Sequence, residues 1–270
     1  MVVAFVADVE FMWGHASSQA GMSKSPSSFL YPPPTTIIGA LAASIGRRTN
    51  YGEKRGRDLM RAIATKLLAV SFRPLNFIPF RFQDLNRIIA VRVRSGVHYP
   101  SPDNIAASFD APARGKTVFI SIDGNPPIMR IYMVFKEESL SDGLNIREED
   151  FWHFRRIGTK EALVSTIDVK SPEVHLRRGK VIVKSAFPLL QGVKRVEILS
   201  GDWTVEEYID PFDFASYGSL EGIFDGRIRH LLFSVPRSLT EPKYMLEISE
   251  GAVGFDVGGE IIIGIGGEGI

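Results

Sequence analysis

Apolar side chains recur at every second position near the start of the chain, at Val3, Phe5, Ala7, Val9 and Phe11, and this spacing predicts a half-buried strand. Residues 14–29, GHASSQAGMSKSPSSF, break the pattern; rich in Gly and Ser, they read as a loop. Tyr31 and the triple Pro32, Pro33, Pro34 then stiffen the chain. Thr35 or Thr36 is placed to cap a helix running through Ile45, with Gly46 near its end. A second helix is read from one apolar stripe, Leu59, Met60, Ile63, Ala64, Leu67 and Leu68, with Asp58, Arg61, Thr65 and Lys66 facing elsewhere.

Beyond the helices the periodicity shortens. Strands are predicted at 70–77, 88–94, 117–122 and 128–135, the last after a turn-like DGNPP, and further strands at 180–186 and 244–248. A short helix is predicted at 147–156, where Glu148, Glu149 and Asp150 meet the positive end of its dipole. The last twenty residues, ending IIIGIGGEGI, combine a strand-like core with glycines read as tight turns. This order predicts an α+β fold built on a ferredoxin-like (RRM-like) antiparallel sheet with insertions. The expected division is a palm at 1–190, with a thumb-like insertion at about 82–114, and a β-rich C-terminal elaboration at 191–270 that belongs to the same or a second domain.

Composition narrows the function. At 270 residues and 44% hydrophobic content the chain can bury a full core. It has no cysteine, so disulfides, Cys-based zinc sites and a Cys nucleophile are excluded, in keeping with a reducing cytoplasm. The opening MVVAFVADVEFMWGH has no basic n-region or small-residue cleavage site, and no stretch reaches the roughly 18 apolar residues of a membrane helix, so a soluble protein with no membrane partner is expected.

Net charge is only +1, which argues against a uniformly basic nucleic-acid binder, but the charges are segregated. Residues 73–116 hold seven Lys/Arg against three Asp/Glu, and 154–184 eight against three. Residues 197–226 hold eight acids and no Lys or Arg, and are expected to lie away from any phosphate backbone.

Candidate binding residues follow from these segments. Prolines deliver the chain to a helix start, where unpaired N–H groups favour an anion such as an RNA phosphate; Lys24, Ser25 and Ser28 add donors from the loop, beside Tyr31, Thr35 and Thr36. Taken by themselves, the same residues read first as a rigid connector, with Thr36 an ordinary cap. Arg92 and Arg94 alternate with apolar positions to give an exposed basic strip, joined by Arg87 and followed by His98 and Tyr99, charge and a ring suited to RNA or simply a solvated face. Arg155, Arg156 and Lys160 are further phosphate-contact candidates, with Arg177, Arg178, Lys180 and Lys184 behind them. Trp13, Trp152 and Trp203 read as core anchors. No metal-site pattern is present, no cofactor is expected, and no His, Tyr or Lys pair among His15, Lys24, Tyr31, His98 and His153 has a spacing that forces an acid and a base together.

Residues 31–43, YPPPTTIIGALAA, resemble the N-terminal signature of the CRISPR-associated Cas5 family of the RAMP superfamily, and residues 156–165, RIGTKEALVS, resemble a stretch of its type I-A branch. The two cover about a tenth of the chain, in the expected order. The resemblance implies a non-catalytic subunit of a type I-A Cascade, which caps the 5′ handle of the guide RNA (crRNA) and touches the repeated backbone subunit and the large subunit. Target DNA would be met only indirectly, through guide pairing. It also implies that the region between the early strands is a thumb meeting RNA and the neighbouring backbone subunit. The alternative on the same fold is a metal-independent endoribonuclease that processes CRISPR repeat RNA.

Overall fold

A computed structural model of the chain describes residues 2–17, 26–52, 55–85, 88–89, 91–110, 113–213, 228–238 and 240–266. In chain order the elements are β1 (Val3–Phe11), β2 (Gly14–His15), α1 (Pro34–Arg48), α2 (Gly56–Lys66), β3 (Leu67–Pro74) and β4 (Phe77–Leu85). Four very short strands follow, β5 (Ile88–Ile89), β6 (Arg92–Arg94), β7 (Val97–Tyr99) and β8 (Phe109–Asp110), then β9 (Ala113–Ser121), β10 (Ile128–Phe135), α3 (Glu148–Trp152) and β11 (Val164–Lys170). The remainder is almost all strand: β12 (Val174–Arg177), β13 (Gly179–Val183), β14 (Phe187–Pro188), β15 (Val193–Ser200), β16 (Trp203–Ile209), β17 (His230–Pro236), β18 (Lys243–Ile248), β19 (Ala252–Val257) and β20 (Glu260–Ile265). The fold is thus mixed α and β, dominated by antiparallel strand pairs. No helix among the described residues is long and apolar enough to cross a membrane.

Four strands in the order β11-β1-β10-β3 make the central sheet. Phe5, Ala7, Val9 and Phe11 of β1 point into one core with Ile37, Ile38, Leu41 and Ile45 of α1 and Leu59 and Ile63 of α2. Each such buried Val, Leu, Ile or Phe side chain contributes about 1.5–3 kcal/mol of transfer free energy. The opposite face is covered as well: Ala4, Leu68, Ala69, Tyr132 and Val134 pack on Val253, Phe255 and Ile262 of β19 and β20. β1 is therefore buried on both faces, not half-buried as its alternation predicts, because the C-terminal strands return to close the second face. Gly264 is the point of closest approach, where an added Cβ would fall 2.2 Å from the Leu68 carbonyl oxygen. Only glycine fits β20 against β3 there.

Several predicted boundaries move. Pro33, not Thr35 or Thr36, is the N-cap of α1; both threonines lie inside the helix, no side chain caps it, and it runs past Gly46 to Arg48. Leu67 and Leu68 belong to β3 and not to α2, which ends at Lys66. The predicted strand 88–94 is divided between β5 and β6, and its apolar members Ile89, Val91 and Val93 are exposed. Trp152 is 45% exposed and anchors no core, while Trp13 donates its indole N–H to the Glu161 carbonyl at 2.8 Å. Trp203 packs partly buried against the rings of Phe187 and Tyr244.

β4 and β9 form a long ribbon, joined at its base by β2. The short strands β5 to β8 extend it outward. In the C-terminal part, β13 and β15 flank β18, and β14 and β16 flank β17.

Candidate nucleic-acid interface

The approach to α1 is fixed by backbone contacts with distant strands. Gly115 donates its N–H to the Pro26 carbonyl at 3.2 Å, Phe29 to that of Ser17 at 2.9 Å, and the Thr117 hydroxyl to that of Phe29 at 2.5 Å. Leu30 and Tyr31 then donate their N–H groups to the carboxylate of Glu206 on β16, at 2.9 and 3.4 Å. Glu206 also accepts from the Tyr208 hydroxyl and pairs with the Arg81 guanidinium on β4. Buried in this way, its charge is compensated by one cation and several donors, the condition under which an interior carboxylate is tolerated.

Tyr31 is fully buried, and its hydroxyl donates to the Pro236 carbonyl at 2.6 Å. Burial and the nearby Glu206 charge raise its hydroxyl well above the usual tyrosine range. Its side chain therefore presents no atom at the surface, where the sequence reading expects an RNA contact. Ser28 is likewise buried, its hydroxyl donating to the Ser17 carbonyl at 3.1 Å. Both residues build the support on which the helix start rests. Lys24, Ser25 and Arg87 lie outside the described residues.

The prolines that open α1 are buried, and the helix lacks a side-chain cap of its own. The first turn of α1 has no capping side chain and no acidic residue, so the positive end of its dipole is not neutralised within the helix. Thr35 and Thr36 stand half-buried there. Thr35, Thr36, Gly39, Ala40 and Ala43 line a cavity of about 340 Å³ whose other walls are Met60, Arg156 and Gly158. The cavity thus joins segments 31–43 and 156–165, which are more than a hundred residues apart in the chain. Gly158 makes the junction possible: its φ of +112° suits glycine, and a Cβ would come within 3.1 Å of the Ser17 hydroxyl.

Charge accumulates beside this cavity. Arg155 and Arg156 are exposed, and burial together with their charges lowers the Arg47 guanidinium from its usual value. Arg47 is held by a 2.8 Å bond to the His153 carbonyl. At the other end of the loop Ile157 is buried and its N–H reaches the Ala162 carbonyl at 3.1 Å, which leaves Lys160 exposed near the tip. Gly39, Ala43 and Arg47 repeat at helical spacing along the same side of α1, small residues leading to a cation.

The second candidate group sits apart on the ribbon. Arg92, Arg94 and His98 are exposed on β6 and β7. Arg92 donates to the Ala107 carbonyl at 3.2 Å, and its guanidinium lies 5.8 Å from the centre of the Tyr99 ring. On β4 and β9 the opposed pairs Ile78–Ile120 and Phe80–Val118 share one face, on which Phe80 and Ile120 are well exposed.

His15, a candidate acid or base, is sealed in the interior. Its Nε2–H donates to the Leu30 carbonyl at 3.3 Å and its Nδ1 accepts from the Ser17 N–H at 3.2 Å, which defines the neutral tautomer. Burial lowers its pKa to about 4. His98 and His153 are exposed. Sequence reasoning missed Glu206 and Arg81; Glu206 lies in the acidic stretch 197–226, and nothing in its neighbours marks it as the one turned inward.

No family model matches the chain. It is 27% identical over 260 residues to the CRISPR-associated protein Cas5 3 of Saccharolobus solfataricus, covering 93% of this chain and 95% of that one. The crystal structure of a CRISPR protein from Archaeoglobus fulgidus superposes with a TM-score of 0.74 at 32% identity, over 99% of this chain and 100% of the other. A chain of a CRISPR RNA-guided surveillance complex aligns at a TM-score of 0.41 and 13% identity, over 88% of this chain and 91% of that one. With near full-length likeness to both the Saccharolobus Cas5 protein and the Archaeoglobus CRISPR protein, the chain belongs to the CRISPR-associated Cas5 family.

Proposed function

We propose that the chain is a non-catalytic subunit of a type I-A Cascade, binding the 5′ handle of the guide RNA in the cavity along the first turns of α1. The observation that carries this reading is the cavity shared by Thr35, Thr36, Gly39, Arg156 and Gly158, with Arg155 and Arg47 beside it. The hydroxyls of Thr35 and Thr36 and the adjacent guanidinium groups suit phosphate oxygens, and the small side chains of α1 leave room for a ribose or base.

The sheet order β11-β1-β10-β3, with helices following its first and third strands in the chain, supports reading the central unit as a ferredoxin-like palm. The ribbon supports the thumb reading: Arg92, Arg94 and His98 offer charge to RNA, and the exposed Phe80 and Ile120 offer an apolar face to a neighbouring backbone subunit. The sealed positions of His15 and Tyr31 favour binding over cleavage, since neither side chain reaches a substrate.

Incubating the purified chain with repeat RNA in EDTA tests the proposal. The expected result is a bound, intact RNA. Specific cleavage abolished by a change at His98 or His153 would replace it with an endoribonuclease.

A further inference from the structure

A second cluster of cations lies on the opposite face of the central sheet from α1. Arg73 of β3 donates to Glu260 at 2.6 Å, beneath the C-terminal strands. Nearby, one exposed carboxylate, that of Glu241, gathers three cations. Its Oε1 is 2.6 Å from Lys184 Nζ and 3.6 Å from Arg73 Nη1, and its Oε2 is 3.2 Å from Lys243 Nζ. Beside it is a cavity of about 270 Å³ walled by Arg73, Leu75, Phe77, Ile122, Ser238 and Thr240. The Nε of Arg73 is buried without a hydrogen-bond partner among the described residues.

Charge and shape fit one ligand class. Arg73, Lys184 and Lys243 against Glu241 and Glu260 leave a single excess positive charge, and with Glu241 turned aside they would leave two. Glu241 sets one oxygen against Lys184 and Arg73 and the other against Lys243, and Ser238 and Thr240, whose hydroxyls bond each other at 2.9 Å, stand in the adjoining wall. Exposed ion pairs of this kind are weak and readily exchanged. The apolar side of the cavity, Leu75, Phe77 and Ile122 at the base of the ribbon, suits a ribose or base next to the anion.

We propose that Arg73, Lys184 and Lys243 form a cradle for the phosphate group of a nucleotide unit, and that Glu241 holds the cradle closed until that phosphate displaces it. The cradle is separate from the α1 interface and does not depend on it.

Two exposed-residue variants test this, with a labelled single-stranded RNA oligonucleotide and inorganic phosphate as the probes. Glu241→Gln removes the competing anion and should tighten RNA binding by roughly fivefold, while the double change Lys184→Gln, Lys243→Gln should weaken it about tenfold and lower the salt slope by about 0.7, the value of one phosphate contact on a single strand. Lys184→Arg, Lys243→Arg keeps the charge and should keep most of the affinity; melting curves for all variants report the fold, and if the Gln pair melts early the Glu241→Gln arm decides. If inorganic phosphate raises the melting temperature of Glu241→Gln while RNA affinity is unmoved, the cradle stands and its ligand is free phosphate. If Glu241→Gln binds both probes as the unmodified chain does, the cradle is an ordinary surface ion-pair network and the proposal is overturned.

Discussion

Arg81, on the ribbon, is ion-paired with Glu206 of β16, whose side chain is 2% exposed while that of Arg81 is 39% exposed. Through this pair and the N–H groups of Leu30 and Tyr31, one carboxylate ties together the ribbon, the C-terminal strands and the segment that launches α1. Removing either partner leaves a buried charge or buried donors uncompensated. Glu206→Ala and Arg81→Ala should each destabilise the chain by about 3–5 kcal/mol. In a double-mutant cycle from denaturant unfolding the combined variant should lose less than the sum, with a coupling of roughly 1–3 kcal/mol. Additive losses would mean that the two act separately.

His15 gives the chain an acid-side instability with a defined window. Its folded pKa of about 4 lies below the value of 6.5 it takes when exposed, so the unfolded chain binds the extra proton as pH falls. Its contribution is complete above pH 6.5, declines between 6.5 and 4, and falls no further below 4. Across that window roughly 3 kcal/mol is at stake. Unfolding free energies of the unmodified chain and of His15→Gln, measured from pH 7 down to 4, should show the steeper decline in the unmodified chain; parallel curves would contradict the assignment.

Tyr31→Phe separates support from contact. Losing the hydroxyl leaves the Pro236 carbonyl without this donor and should cost about 1–3 kcal/mol of stability. RNA affinity of the folded variant should be unchanged; a specific loss of affinity would return Tyr31 to the binding surface.

What could be read from the residues alone, and what could not, divides along physical lines. The alternation in β1 and the apolar run of β10 locate central strands because packing dictates their pattern on at least one face. Leu67 and Leu68 continue the stripe of α2 by coincidence: a strand buried on both faces shows no alternation, so periodicity cannot mark where the helix stops. β15 carries no such signal, because it is an edge strand with two irregularities in register and mostly exposed side chains. At the site, the tyrosine–proline segment and Arg156 were legible as motifs, but the inward turn of Tyr31 depends on Glu206 and Pro236, 175 and 205 residues away.

Arg155, Arg156 and Lys160 are exposed and lie on the loop that walls the α1 cavity or continues from it. If all three meet phosphates, replacing them by Ala should lower the salt slope of handle binding by about 0.7 for each phosphate no longer neutralised, with little change in melting temperature. An unchanged slope would assign them to solvent.

The central claim, that the cavity at the start of α1 holds the guide's 5′ handle, is tested most directly by Gly39→Leu. A Cβ at Gly39 makes only an ordinary 3.7 Å contact with the Met60 methyl, so the larger side chain fills the cavity without breaking the helix. The measurement is equilibrium binding of this variant and of the unmodified chain to handle-bearing RNA and to spacer-only RNA of equal length. The account predicts a loss of about tenfold or more, equivalent to at least 1.4 kcal/mol, on handle RNA with spacer-only affinity nearly unchanged. Equal affinities for handle RNA in the two proteins, or equal losses on both RNAs, would contradict it.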